Sequence, residues 1–356
     1  MSIRNVLMVA SLVLSVLIGL VIARGGKTES AVSTAKGGAV KIGFSMDTLK
    51  EARWQVDRDE FVKRAKELGA TVEVQSANSD DTEQMRNVES LLTSGINVLV
   101  IAAHDGKAMA KAVGMANKAG IPVIAYDRLI YDSDVDMYLS FDNERVGELQ
   151  AQYLVDNLPG GKGSIVCIYG SPADNNAKLF KKGQDKVLTP LVKRGDIKIV
   201  RADWAEDWKP ENAKRITDAA ITSGKFDAVL ASNDGTAGGA IQALTEAKLP
   251  NVLVTGQDSE LAACQRIARG AQSMTIYKPL KSLASTAAES AIKLAQGKVL
   301  VAKDVVNNGK IDVPSILKDV NVVTKENMPE IIVKSGFHTY DEVYGDVPQN
   351  QRPPRP

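Results

Sequence analysis

The sequence is poor in the residues that bind metals, carry redox chemistry or act as nucleophile and base. Its 356 residues include two cysteines and two histidines. Cys167 lies in the apolar run SIVCIYG and Cys264 in a helical pattern, and neither falls in a CxxC pair. Both read as buried small hydrophobes, with a disulfide between them left open. His104 and His338 stand far apart with no HExxH motif, so neither a metal site nor a cofactor is expected. No His–Ser or His–Cys couple appears at a strand end, which leaves no catalytic residue to nominate. Charge of either sign is in balance, 44 Lys+Arg against 43 Asp+Glu. A net charge of +1 supplies no polybasic field for nucleic acid or anionic lipid. GGKGS (Gly160 to Ser164) lacks a GK[ST] ending and precedes a strand, so it reads as a turn and not a phosphate loop. Aromatics make up 5% of the chain and tryptophans number three, so any cluster of them is informative.

One long apolar run is present, Val6 to Ala23, framed by Arg4 and Arg24 and followed by a segment rich in Gly, Ser, Thr and Lys. A charged start before an apolar run exports the chain behind it. The run exceeds a usual signal core and is about long enough to span a bilayer. Residues 1–24 therefore read as either a cleaved signal peptide or an anchor that retains the protein at the membrane, and 25–38 as a linker. No cysteine follows the run, which excludes bacterial lipoprotein anchoring. Export places the remainder in an extracytoplasmic, periplasmic compartment.

Behind the linker, β-branched apolar runs alternate with amphipathic helical patterns. KIGFSM, TVEVQSA, NVLVIAA and PVIAYD form one series; SIVCIYG, IKIVRAD, FDAVLAS, NVLVTGQ and SMTIY form a second. This is the pattern of βαβ units on parallel sheets. Gly69, Gly95 and Gly120 stand where helix C-caps are expected. The length suits two domains.

The two series are copies of one unit. SGINVLVIAAHDGKA (from Ser94) and SGKFDAVLASNDGTA (from Ser223) align without a gap. In each copy a helix and a further strand follow, and that strand ends in Asp, at Asp127 and Asp258. Ligands of open parallel sheets bind outside the carboxyl ends of the strands. Those ends carry His104, Asp105, Asp127 and Arg128 in one copy, and Asn233, Asp234 and Asp258 in the other. Asp105 and Asp234, each followed by glycine, read as helix caps; for Asp127 and Asp258 cap and site stay open. Carboxylates, amides and an Arg fork suit the hydroxyls of a neutral polyol, and an aromatic face suits the C–H face of a sugar ring. Trp54, Trp204 and Trp208 follow strands, where each is either core or ligand platform. SPADNNAKLF (from Ser171) is either a helix cap with polar neighbours or part of the site.

Close motifs extend from about Lys41 to about His338: RWQVDRDEFVKRAKELGA, YDRLIYDSDVDMYLSFDNERVGELQA, GSPADNNAKLF, SNDGTAGGAIQAL, GQDSELA, MTIYKP and VPSILKDVNVVTKEN. On these the chain resembles the periplasmic sugar-binding proteins of bacterial ABC transporters, a family of pentose and hexose receptors. The resemblance implies an α/β fold of two doubly wound parallel-sheet lobes joined by a three-segment hinge, the type I periplasmic-binding-protein architecture. It implies lobes of 39–141 plus 278–306 and of 142–277 plus 307–338; the tail at 339–356 is unusual for the family and, from its Pro-rich composition, reads as disordered. The resemblance also implies site roles for Arg53 and Trp54, Asp127 and Arg128, Asn175 or Asn176, the stacking Trp208, and Asn233, Asp258 and Lys278. His104 and Ala52 depart from the family pattern, and His104 joins the candidate ligand contacts as a residue that would shift sugar preference.

The expectation is a non-enzymatic receptor whose lobes close on a monosaccharide, D-xylose by resemblance, and deliver it to an ABC permease. The alternative is a membrane-anchored sugar sensor that presents its closed form to a signalling kinase or chemoreceptor. A sugar-responsive repressor is disfavoured, because the N-terminus is an export segment and not a basic helix-turn-helix.

Overall fold

The computed structural model describes residues 38–356. The leader at 1–24, and with it the choice between signal peptide and anchor, lies outside the described residues, as does the linker before Gly38. Among the described residues no helix is long and apolar enough to cross a membrane.

The first lobe opens with β1 (Lys41–Met46), α1 (Ala52–Glu67), β2 (Thr71–Ser76), α2 (Asp81–Thr93), β3 (Val98–Ala102), α3 (Ala110–Lys118), β4 (Val123–Tyr126) and β5 (Met137–Phe141). The second lobe continues with α4 (Asn143–Asn157), β6 (Gly163–Tyr169), α5 (Asn175–Arg194), β7 (Ile197–Trp204), α6 (Pro210–Ser223), β8 (Ala228–Ala231), α7 (Asp234–Glu246), β9 (Leu253–Val254), α8 (Leu261–Ala268) and β10 (Thr275–Tyr277). The chain then returns to the first lobe with α9 (Leu280–Ala295), β11 (Asp304–Asn307) and β12 (Asp312–Lys318). It ends in the second with β13 (Asn321–Val323) and α10 (Tyr340–Tyr344). The sheets run β11-β12-β5-β4-β3-β1-β2 and β7-β6-β8-β9, with β10 and β13 as a separate antiparallel pair. Apolar clusters cover both faces of each larger sheet. That double cover is why β3 is VLVIA, buried at every position and without polar alternation. The expected C-cap glycines take left-handed backbone, φ +79° at Gly69, +77° at Gly95 and +70° at Gly120.

Three expectations need correction. The segment from about Asn307 does not rejoin the second lobe at once. It folds back as a hairpin, and β12 pairs in parallel with β5. The third crossover therefore falls between Lys318 and Asn321, and the other two lie at Phe141–Asn143 and Tyr277–Leu280. The second arm of the hairpin reads DVPSILK, with a proline inside it and a charged residue at each end. That composition hides a strand, although a proline on the hairpin's antiparallel arm is compatible with pairing.

The tail is ordered. Thr339 and Glu342 form a reciprocal capping box at the start of α10. Tyr340, Val343 and Tyr344 then pack on Cys264 and Ile267 of α8 and on Met328 and Ile332. Beyond the helix, Arg352 donates to the carbonyls of Val347 (2.7 Å) and Gly345 (2.7 Å), and Tyr340 donates to Pro353 O (2.6 Å). An i, i+3, i+4 apolar stripe outweighs the proline content that suggested disorder. Cys167 and Cys264 are both buried and unpaired. The third correction concerns Asp234. The cap of α7 is Asn233, whose Oδ1 accepts from Thr236 N (2.9 Å), whereas Asp105 does cap its turn, accepting from Lys107 N (2.7 Å) and Ala108 N (3.1 Å).

Tyr344 is 1% exposed. Tyr344→Ala should lower unfolding free energy by about 3 kcal/mol, as large-to-small core changes do. Chemical denaturation measures it, and an unchanged midpoint would mean the tail contributes no packing.

Candidate functional site

The two repeat aspartates end their strands in the same unusual way. Asp127 has φ +62° and Asp258 φ +95°, a region L side chains avoid. Each amide donates to the carbonyl of the next strand, Asp127 N to Leu139 O (2.7 Å) and Asp258 N to Ile276 O (2.8 Å). Neither aspartate caps a helix. The twist turns both carboxylates toward a cavity between the lobes. It is lined by Glu51, Arg53, Trp54, Asp127, Arg128, Asp174, Asn176, Phe180, Trp208, Asn233, Gln257, Asp258 and Lys278.

On the first-lobe side, two arginines are fixed by carboxylates behind them. Arg53, in the first turn of α1, donates Nε (3.1 Å) and Nη2 (3.0 Å) to Asp57, one turn on, and Nη2 to Asp127 (2.7 Å). Asp57 also accepts from the Tyr126 hydroxyl. Arg128 donates Nη1 to Asp47 (2.7 Å) and to Ala103 O (3.0 Å), and its Nε lies 3.0 Å from Asp174 Oδ2. Both guanidiniums lie over Trp54, at 4.2 Å and 5.2 Å from the ring centroid.

On the second-lobe side, Asp174 caps α5 through Asn176 N (2.8 Å) and accepts the Trp208 indole N–H (3.0 Å). Asn176 Nδ2 reaches across to Asp127 Oδ1 (2.8 Å), while its Oδ1 accepts from Asn143 (3.0 Å). Trp208 sits edge-on to Phe180 over Gly170, where any Cβ would lie inside the indole. Lys278 is fully buried between the rings of Phe141 and Phe180, both at 5.2 Å, with Nζ 3.4 Å from Asp258 Oδ1.

Nine of the eleven candidates thus meet at one cavity. Asn176, and not Asn175, faces it; Asn175 Oδ1 accepts from the Tyr131 hydroxyl. His104 does not line it either. Its Nδ1 lies 2.9 Å from Asp47, so it stands behind Arg128. Trp204 packs on Tyr169 instead. Trp54 and Trp208 belong to core clusters and line the cavity as well, so core and platform are not exclusive readings. Sequence reasoning missed Glu51, Asp174, Phe180 and Gln257. Asp174 and Phe180 lie inside SPADNNAKLF, and Gln257 directly precedes Asp258.

Three cavity acceptors are left over. Glu51 Oε2, Gln257 Oε1 and Asp258 Oδ1 are buried and make no hydrogen bond among the described residues, Asp258 Oδ1 having only the ion pairs to Lys278 Nζ (3.4 Å) and Arg53 Nη1 (3.7 Å). Buried polar atoms are normally paired, so these three suit hydroxyl donors of a ligand. The charges are matched internally. Burial alone would push the Asp127 carboxyl up, but Arg53, Lys278 and Arg128 outweigh it and hold it below the usual carboxylate range. Burial pushes the Asp57 carboxyl up to about 6 against the pull of Arg53. Burial also lowers the Lys278 ammonium, with Asp258 opposing. A cavity whose cations already have counter-ions favours a neutral guest over an ion.

Below the Asp258 turn, burial and the Asp234 and Asp258 carboxylates push Glu260 up to about 8. A carboxyl with a raised folded pKa binds more protons folded than unfolded. Its contribution therefore favours folding at low pH and is lost as pH rises from about 4.5 through about 8. The melting temperature of the sugar-free protein should fall between about pH 6.5 and pH 8.5, and Glu260→Gln should flatten that slope. Equal slopes in a thermal scan would remove Glu260 as the source.

A model of the periplasmic binding protein domain matches residues 42–299. The chain is 50% identical over 307 residues to the D-xylose-binding periplasmic protein of Escherichia coli (strain K12), covering 85% of this chain and 92% of that one. It is 48% identical over 315 residues to the D-xylose-binding periplasmic protein of Haemophilus influenzae, covering 88% and 94%. Among solved structures, a carbohydrate transporter solute binding protein from Chloroflexus aurantiacus, in complex with D-glucose, superposes with a TM-score of 0.79 at 35% identity, covering 85% of this chain and 97% of that one. With that match over most of its length, and with two α/β lobes meeting at a polar cavity, the chain belongs to the periplasmic binding protein family.

Proposed function

We propose that this protein is an exported receptor for a neutral monosaccharide, D-xylose, which it encloses by hinge closure and hands to an ABC permease. The carrying observation is the set of three buried acceptors without a hydrogen bond, Glu51 Oε2, Gln257 Oε1 and Asp258 Oδ1, the last held only by longer ion pairs to Lys278 and Arg53, in a cavity whose cations are already matched. A pentose offers hydroxyls to those acceptors and an apolar ring face to Trp54 and Trp208. The relatives named above are binding proteins, which favours binding over turnover. The absence of C6 in xylose gives the aromatic walls their selective role, because a clash excludes a hydroxymethyl group more strongly than one lost apolar contact, worth ~1–3 kcal/mol, can. Both lobes contribute lining residues, so a bound sugar stabilises the closed arrangement by its differential affinity for it. None of the contacts described here favours a sensor kinase or chemoreceptor over the permease as recipient.

D-xylose should raise the melting temperature by mass action and shrink the radius of gyration in small-angle scattering. Asp258→Ala and Trp208→Ala should each weaken xylose binding about tenfold or more in calorimetry, with an intact unfolding transition in the free protein. Trp54→Ala should relax discrimination against glucose. Normal xylose affinity in both Asp258→Ala and Trp208→Ala would dislodge the cavity as the sugar site. Tight binding with an unchanged radius would remove hinge closure.

A further inference from the structure

Asp258 and Ser259 form a strained point of the cavity wall, with φ +95° and +52° on consecutive L residues. Such a turn costs on the order of 1–3 kcal/mol per residue and persists only where its surroundings over-determine it. Five contacts hold its backbone. Asp258 N donates to Ile276 O (2.8 Å), Ser259 N to Thr275 Oγ1 (3.2 Å) and Glu260 N to Asp234 Oδ2 (2.9 Å). These three partners lie within residues 42–299, the span shared with the family model. So does Cys264, whose Sγ donates to Ser259 O (3.5 Å); the fifth partner does not. Ser259 O lies 2.8 Å from His338 Nε2, and a carbonyl can only accept, so Nε2 carries the proton.

His338 is itself fixed from the tail. Its ring stands edge-on to Phe337 (4.7 Å), and Phe337 stands edge-on to Tyr277 (5.1 Å). The next residue, Thr339, caps α10, which packs on α8, the helix that the strained turn begins. Gln265 of α8 donates to Glu342 O of α10 (2.9 Å). The C-terminal segment therefore grips the turn and the helix after it together.

We infer that the segment from Phe337 onward is a working part of the sugar site, with His338 as a positioning residue that holds the Asp258–Ser259 turn in the form that presents the Asp258 carboxylate to the cavity. His338 touches no cavity atom; it acts through the backbone of the residue beside Asp258. The inference rests on Asp258 being a sugar contact, and its test has one arm that needs no sugar.

Wild type, His338→Ala and His338→Gln are compared. In amide hydrogen exchange on the sugar-free protein, His338→Ala should speed exchange at Asp258 to Glu260 and leave the Asp127 turn as in wild type. By calorimetry with D-xylose it should bind about tenfold more weakly, the worth of one hydrogen bond. His338→Gln keeps a donor at the end of a flexible side chain and should recover most of both effects. A structural role alone would lower the melting temperature equally in both variants, with exchange at the turn and xylose affinity unmoved, and that result overturns the inference. So does a Gln variant no better than Ala. If wild type bound no xylose, the proposed function would fail on its own, and exchange at the turn would still decide the role of His338.

Discussion

The cavity depends on the buried contact between Arg53 and Asp127, at 2.7 Å. A guanidinium sealed from water at the start of α1 is tolerable only because Asp57 and Asp127 share it. Breaking one partner of such a pair costs about 3–5 kcal/mol, although the intact pair adds little over an apolar packing. The network is therefore poor as a source of stability and good as a source of position. It fixes a left-handed strand end, and it leaves the remaining face of each charged group pointing where a ring of hydroxyls would sit.

The same contact ties the lobes together. Asp127 belongs to the first lobe and accepts from Asn176 of the second, while Arg128 of the first lies beside Asp174 of the second. Asp174 in turn sets the Trp208 indole by its N–H. One carboxylate thus couples a helix cap, a cation and an aromatic wall, so lobe closure, ring stacking and charge matching are a single arrangement and not three.

Much of this was legible in the sequence. The internal repeat alone reached Asp127, Asn233 and Asp258, because strand ends in a duplicated α/β unit must face one another. Strand-end position also reached Arg128, the scarcity of tryptophan pointed to Trp54 and Trp208, and resemblance added Arg53 and Lys278. Asn175 and Asn176 were not separable, since which of two adjacent residues in a first helical turn faces a cavity is decided by the helix's entry angle. Asp174 was hidden as an ordinary cap, which it also is. Glu51 and Gln257 carry no pattern, and their role comes from lacking a partner, a property of three-dimensional surroundings only. Among the elements, β12 was missed because its proline and charged ends break the apolar run, and α10 because composition outweighed a capping box and an apolar stripe five residues long.

The two copies have diverged in a way that explains why binding and closure go together. His104 and Asn233 occupy equivalent places in the repeat. The first pairs with Asp47 and so backs Arg128; the second caps α7 with its carbonyl oxygen and lines the cavity. In the first lobe the strand ends spend their carboxylates on cations, which makes that wall rigid and largely satisfied without a guest. In the second lobe Gln257 keeps a buried acceptor oxygen with no hydrogen bond, and Asp258 Oδ1 has only the longer approaches of Lys278 Nζ (3.4 Å) and Arg53 Nη1 (3.7 Å). Open to water, those oxygens would be solvated at no cost; closed over an apolar guest, each would lose its hydrogen bonds, a penalty of ~1–3 kcal/mol apiece. A polyhydroxyl ring cancels that penalty, and a guest without hydroxyls at those positions does not. Closure is thereby conditional on the chemistry of what is enclosed, with one lobe supplying the fixed template and the other the test.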